Sequence, residues 1–170
     1  PSYVERDAIR AMDPTIHVKD ITAYVFDQFK ENLQEDFARR QGLLFVGGFA
    51  HPPNADAVLW FARDIYPLIR RNMEEAGEAA PEFIVVGSKV TEEIKALEQP
   101  GNGIVIRGFV SEEELSRLYG ECRVVVVPLR YGAGVKGKVV EAIYNGAPIV
   151  TTSIGAEGIP VVEDVLLVED

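Results

Sequence analysis

From residue 43 onward the chain repeats one pattern: a short apolar run rich in β-branched residues, then a helical stretch, then another run. Leu43-Leu44-Phe45-Val46-Gly47 is the first run, and Phe83-Ile84-Val85-Val86-Gly87 has the same form. Ile104-Val105-Ile106, Val124-Val125-Val126-Val127, Ile149-Val150-Thr151 and Val165-Leu166-Leu167-Val168 complete a set of six. Apolar runs without alternation belong to strands covered on both faces, and hence to a parallel sheet.

The intervening stretches read as helices. Residues 55–73 place Val58, Leu59, Ala62, Ile65, Leu68 and Ile69 at helical spacing, with Pro67 able to start a new turn. Thr91 is a candidate N-cap for residues 91–98. Ser111 and Glu114 form a candidate capping box, followed by the stripe Leu115, Leu118 and Tyr119. Residues 138–145 make another helix with Val139, Ala142 and Ile143 inward, stopped by Gly146 and Pro148. The pattern predicts an α/β fold: a doubly wound, mainly parallel, six-stranded Rossmann-like sheet with right-handed crossovers.

Residues 1–41 break the pattern. Residues 3–12 read as a helix and Thr15 to Thr22 as a strand, while 23–41 is polar with scattered Phe26, Phe29, Leu33 and Phe37. The expected organisation is therefore 1–22 as the tail of a preceding domain, 23–41 as an interdomain linker, and 42–170 as the main domain. A chain that opens on Pro1 and stops just past a strand is expected to be a piece of a longer protein. A targeting or anchoring segment could precede it.

Acidic residues outnumber basic ones 27 to 17, which leaves a net charge of −10. This argues against a nonspecific grip on nucleic acid or anionic lipid, so membrane contact is expected only through regions outside the chain. No apolar run reaches the roughly 18–20 residues that span a bilayer. The single cysteine, Cys122, reads as a small buried hydrophobe and suits a reducing, cytoplasmic setting. One cysteine and two histidines do not make a zinc site without carboxylates, and no metal is expected.

If the strand order is 3-2-1-4-5-6, the order reverses between strands one and four, and ligands bind beyond their carboxyl ends. Two loops lie there. One is Gly47-Gly48-Phe49-Ala50-His51-Pro52-Pro53-Asn54; the other runs from Pro128 through Gly132, Gly134, Lys136 and Gly137 to Lys138. Gly47 and Gly48 let backbone approach a ligand. The second loop is glycine-rich and feeds a helix N-terminus, which offers free amides and the positive end of the helix dipole to a phosphate. Lys138 and Glu141 share a helix face and are, on spacing alone, equally a phosphate-and-ribose pair or a surface ion pair. The dinucleotide fingerprint is absent, since no third glycine follows at the right offset and Gly87-Ser88-Lys89 replaces the acidic residue after strand two. Walker A and Asp-x-Asp motifs are absent as well.

The block Gly132-Ala133-Gly134-Val135-Lys136-Gly137-Lys138-Val139-Val140-Glu141-Ala142, with Asn145-Gly146-Ala147-Pro148-Ile149-Val150-Thr151-Thr152 behind it, resembles the signature of family 4 GT-B glycosyltransferases. Phe45 to Phe49 with His51 to Ala57, Gly108-Phe109-Val110, and Thr152 to Gly158 resemble it too, so the likeness runs over about residues 42–160. The resemblance implies two Rossmann-like domains, of which this chain is the C-terminal, donor-binding one. It also implies retaining sugar transfer, of a hexose type, from a nucleoside diphosphate sugar to a glycan, lipid or other acceptor. The expected partners are that donor and the protein's own N-terminal domain; the donor is a substrate and no cofactor is expected. Carried over by position, Glu141 would bind the ribose hydroxyls, and the amides at Gly134 and Val135 would face diphosphate and sugar. Phe109 and Val110 would lie beside the base, and Gly47 and Gly48 would approach the phosphates. Many members carry a second glutamate eight residues before the ribose one; Ala133 stands there instead. The first loop also lacks the family's basic residue, and Lys136 and Lys138 are the candidate substitutes.

Other residues read as structural: His17 in a strand, His51 packed beside two prolines, Trp60 in the core, Glu112 to Glu114 as an acidic first turn, and Arg70-Arg71 as a solvated face. Arg130 and Tyr131 either line the donor site or merely lead into the glycine loop. Two other functions stay open: a sugar-nucleotide epimerase of the same fold, and a non-catalytic binding module, for which Ala133 is the support.

Overall fold

The computed structural model describes residues 2–21, 37–160 and 166–170. Six parallel strands form one sheet: β1 (Leu43–Val46), β2 (Phe83–Val86), β3 (Ile104–Gly108), β4 (Val124–Val127), β5 (Ile149–Thr151) and β6 (Leu166–Val168). Their order is β3-β2-β1-β4-β5-β6, as the sequence reading supposed. Every pair is parallel, and Leu43 faces both Phe83 and Val124, so β1 is the centre of the sheet. Leu44, Phe45, Phe83, Val85, Val125 and Val127 have no measurable exposure, as expected of strands covered on both faces.

The helices are α1 (Tyr3–Met12), α2 (Pro52–Trp60), α3 (Tyr66–Glu75), α4 (Glu92–Lys95), α5 (Glu112–Glu121) and α6 (Gly137–Tyr144). α1 opens with a full capping box, in which Ser2 accepts from the Glu5 amide and Glu5 accepts from the Ser2 amide. Thr91 and Ser111 cap α4 and α5 through their side chains, as expected. The Ser111 box is only half formed, because the Glu114 carboxylate turns to Arg117 instead.

The long helix between β1 and β2 departs from a single period. α2 and α3 are joined by a π-helical segment, Phe61–Ile65, and Pro67 falls in the first turn of α3. The extra residue in a π turn rotates the face that follows. Tyr66 therefore becomes the inward residue at 2% exposure, and Leu68, expected inward, is 48% exposed. The Tyr66 hydroxyl donates towards Pro81 O at 2.8 Å and Gly103 O at 3.0 Å. Ile143, also expected inward, is 37% exposed; only Val139 and Ala142 of that helix are fully buried.

The expected strand at 15–22 is not formed by residues 15–21, so His17 lies in irregular chain rather than in a strand. Phe26, Phe29, Leu33, Val165 and most of the expected linker lie outside the described residues. Phe37, within the short 3-10 turn Phe37–Arg39, carries the Arg123 guanidinium over its ring at 4.1 Å. Cys122 is a buried free thiol whose pKa burial pushes up to about 11, which fits its reading as a small hydrophobe. No helix among the described residues is long and apolar enough to cross a membrane.

Candidate functional site

The two loops named by the strand reversal do meet. A Cβ on Gly132 would lie 3.7 Å from Pro53, so the glycine loop rests on the first turn of α2. That loop is left-handed at Gly132 (φ +125°) and Gly134 (φ +80°), and a Cβ at Gly134 would point into open space. It ends at Lys136, the N-cap of α6, whose side chain makes no cap bond. Val139 N donates to Lys136 O at 3.0 Å, which leaves the Gly137 and Lys138 amides of the first turn for whatever occupies the crevice.

The lysines divide into two kinds. The Lys136 ammonium donates to Gly134 O and pairs with Glu157 Oε2 at 3.2 Å, with 10% of its side chain exposed. It joins the glycine loop to the loop after β5, and its charge is already matched. Lys138 turns inward. Its ammonium donates to Asn54 Oδ1 and stands 4.4 Å from the centre of the Phe45 ring. It makes no ion pair with Glu141, so the surface-pair reading is set aside. Gly47 makes this possible: a Cβ there would lie 2.6 Å from Lys138 Nζ and 2.9 Å from Asn54 Cγ. The space that Gly47 leaves is thus taken by the protein's own cation.

Burial holds Lys138 down to about pKa 8; Glu141 partly offsets this and Lys136 adds to it. Between pH 8 and 10.5 the unfolded chain keeps a proton on Lys138 that the folded chain has lost. Stability relative to Lys138→Met is therefore expected to rise across that window, by about 3 kcal/mol in total. Any anion bound by the ammonium should weaken over the same window. Urea unfolding of both chains at pH 7.5 and 10.5 checks the sign.

Glu141 lies one turn beyond Lys138. Tyr119 Oη donates to its carboxylate at 3.4 Å, and the Asn145 side chain donates to its backbone oxygen at 2.8 Å. Tyr119 is 1% exposed and its pKa is pushed up by burial and by Glu141, so its proton stays in place. On the far side of the sheet reversal, Phe109 is 82% exposed just past β3, and Val110 beside it is half-buried. Gly48 contributes its carbonyl to Asn54 at 2.8 Å.

Arg130 is committed elsewhere. It forms a two-pronged pair with Asp56 and lies 5.3 Å from the centre of the Trp60 ring, which makes Trp60 a half-buried platform rather than a core residue. Tyr131 and His51 are exposed on the loops. Asn54, Glu157 and Tyr119 are the participants that sequence reading did not assign to the site. A concavity of about 970 Å³ lies elsewhere, along β5 and β6 beside Tyr3 and Val4. Among the described residues Glu157 is its one charged lining residue, so they offer no cation for a phosphate and volume does not choose the site. Among the described residues no cluster of histidine, cysteine and carboxylate side chains could hold a metal.

The profile of the family described as "Glycosyl transferases group 1" matches residues 40–170. The chain belongs to that family. A Klebsiella pneumoniae protein named as an uncharacterized 44.6 kDa protein in the cps region is 31% identical over 122 residues, covering 68% of this chain and 30% of its own. Among solved structures, the pneumococcal O-GlcNAc transferase GtfA in complex with UDP and GlcNAc superposes with a TM-score of 0.62 at 18% identity. That match covers 99% of this chain and 33% of GtfA. Anabaena Alr3699/HepE in complex with UDP and glucose gives 0.55 at 18% identity, over 80% of this chain and 36% of its own. The fold is therefore the Rossmann-like domain of a GT-B architecture, and the chain spans about a third of the length of these relatives.

Proposed function

We propose that the crevice beyond β1 and β4 binds the nucleoside diphosphate sugar donor of a retaining, metal-independent glycosyltransferase of hexosyl type. One observation carries this reading. A desolvated ammonium with no anion in contact, the uncapped N-terminus of α6, and the Glu141 carboxylate all lie within one turn of the same helix at the strand reversal. A buried cation and a helix N-terminus suit phosphate, and a carboxylate beside them suits vicinal hydroxyls.

In this reading Glu141 accepts from both ribose hydroxyls, and Lys138 faces the diphosphate. The amides of Gly134 and Val135 follow the diphosphate towards the sugar, and Gly47 and Gly48 border it from the β1 side. Phe109 and Val110 flank the base. Lys136 shapes the glycine loop through its pair with Glu157. As the sugar–phosphate bond breaks, negative charge grows on the departing diphosphate, where preorganised amides and ammonium groups stabilise it. The acceptor, and the groups that orient it, belong to the N-terminal domain of the longer cytoplasmic enzyme. The isolated chain should then bind donor weakly and transfer nothing. Two likenesses support this: the family, and two solved folds whose crystals hold UDP with a sugar.

Calorimetric titration of the chain with UDP, GDP and ADP tests it. One of the three is expected to bind selectively at sub-millimolar to millimolar concentration. Absence of binding by all three, in this chain and in the longer polypeptide, would overturn the reading.

A further inference from the structure

The crevice holds one polar side chain that is nearly sealed from solvent and that donor binding, as described above, does not use. Asn54 is 6% exposed. Its Nδ2 donates to Gly48 O at 2.8 Å, while its Oδ1 accepts from the Lys138 ammonium. Both ends of the amide are thus committed, and to opposite kinds of partner. A flipped amide would set its nitrogen against the ammonium and its oxygen against the carbonyl.

We propose that Asn54 is the positioning residue of the crevice, joining the β1 loop to α6 through Lys138 and so deciding where the cation meant for the donor's diphosphate stands. The proposal rests on the donor-site reading above. Three features of the molecule support it. Asn54 follows Pro52 and Pro53 in the first turn of α2, where two fixed φ angles hold the backbone and hence the amide's anchor. Lys138 sits in the first turn of α6, so a single side chain links two helix starts and the Gly47–Gly48 turn. Gly47 has no Cβ, and one there would crowd both Lys138 Nζ at 2.6 Å and the Asn54 amide at 2.9 Å.

The choice of an amide has a chemical consequence. An aspartate could accept from the ammonium, but it would oppose Gly48 O with a carboxylate oxygen and neutralise Lys138 before any ligand arrived. An apolar residue would leave both the ammonium and the carbonyl without a partner in a desolvated place. Asparagine holds the ammonium with a neutral acceptor and leaves its charge for an incoming anion. The charged groups acting on Lys138 are Glu141 on its own helix and Lys136 in the glycine loop; Asn54 on α2 and Phe45 on β1 face it without charge.

The test measures the ligand-free chain first. With lysine labelled at the ε-carbon, the Lys138 resonance is identified by its loss in Lys138→Met, and its titration is followed by NMR. The isosteric Asn54→Asp is expected to move the Lys138 midpoint up by more than one pH unit and to weaken binding of UDP, GDP or ADP at least tenfold at pH 7. An unmoved midpoint overturns the proposal, and so does a moved midpoint with wild-type nucleotide affinity. A moved midpoint, where the wild type binds no nucleotide either as this chain or within the longer polypeptide, supports the hold of Asn54 on Lys138 and overturns the donor-site reading instead. If Asn54→Asp does not fold, Asn54→Ala carries the test: a lowered melting temperature that still leaves the chain folded at the titration temperature, with a tenfold loss of nucleotide affinity, is expected, and unchanged affinity overturns the proposal.

Discussion

Glu141→Ala is expected to weaken nucleoside diphosphate binding about 100-fold, equivalent to about 3 kcal/mol. The expectation follows from where the carboxylate stands. α6 is held to the sheet by Val139 and Ala142, which have no measurable exposure, so the helix cannot rotate to offer another residue. Glu141 projects one turn beyond Lys138, with Tyr119 below it at 3.4 Å. A carboxylate there accepts two hydroxyl hydrogens at once, each a charge-assisted bond, and alanine accepts none. Glu141→Gln keeps one neutral acceptor and should lose less. Stability should fall modestly, because alanine leaves the buried Tyr119 hydroxyl without the acceptor it has at 3.4 Å. Calorimetry gives the affinities and thermal melting gives the control. Equal affinity of wild type and Glu141→Ala would remove Glu141 from the site.

Gly87→Ala should have the largest effect on folding, a loss of about 3 kcal/mol or more, at the upper end of overpacking costs. A Cβ at Gly87 would lie 1.9 Å from Gly47 O and 2.7 Å from Gly47 C, with the Phe49 ring at 3.1 Å. The first two contacts are backbone, so no side chain can swing aside. The backbone itself is fixed on both flanks: Gly47 N donates to Val86 O at 2.9 Å, and Gly87 N donates to Gly108 O at 2.8 Å. Relief requires prising β1 from β2 at their carboxyl ends, the edge of the crevice. Gly134→Ala is the contrast. Nothing lies within 4 Å of its Cβ, so its cost is the left-handed φ of +80° alone, about 1 kcal/mol. Urea unfolding of the two variants should separate them clearly; near-equal midpoints would mean the sheet edge gives way more easily than its hydrogen bonds imply.

Much of the fold was legible because its signals are local. Unalternated apolar runs such as Val124 to Val127 specify strands buried on both faces, and glycines such as Gly146 (φ +62°) mark where helices stop. The glycine loop before α6 could likewise be recognised from its residues and their spacing. Local signals failed where a neighbour decides. Residues 15–21 have strand-like composition but no strand, since composition does not supply an edge to pair with. Leu68 follows the helical period of its segment, yet the π turn hands the buried position to Tyr66.

The site shows the same division. The sequence by itself determined the sheet class and the grouping of Gly134, Lys136, Lys138 and Glu141 at one helix start; the strand reversal was a supposition that the folded sheet bears out. Only the tertiary structure decided what each charge does. Spacing placed Lys138 beside Glu141, three positions on; the folded chain gives it to Asn54, 84 positions away, and gives Lys136 to Glu157, 21 positions away. The physical reason is that a lysine's long stem lets its ammonium choose among partners within reach, and those partners are set by the sheet register that brings the β1, β4 and β5 loops together.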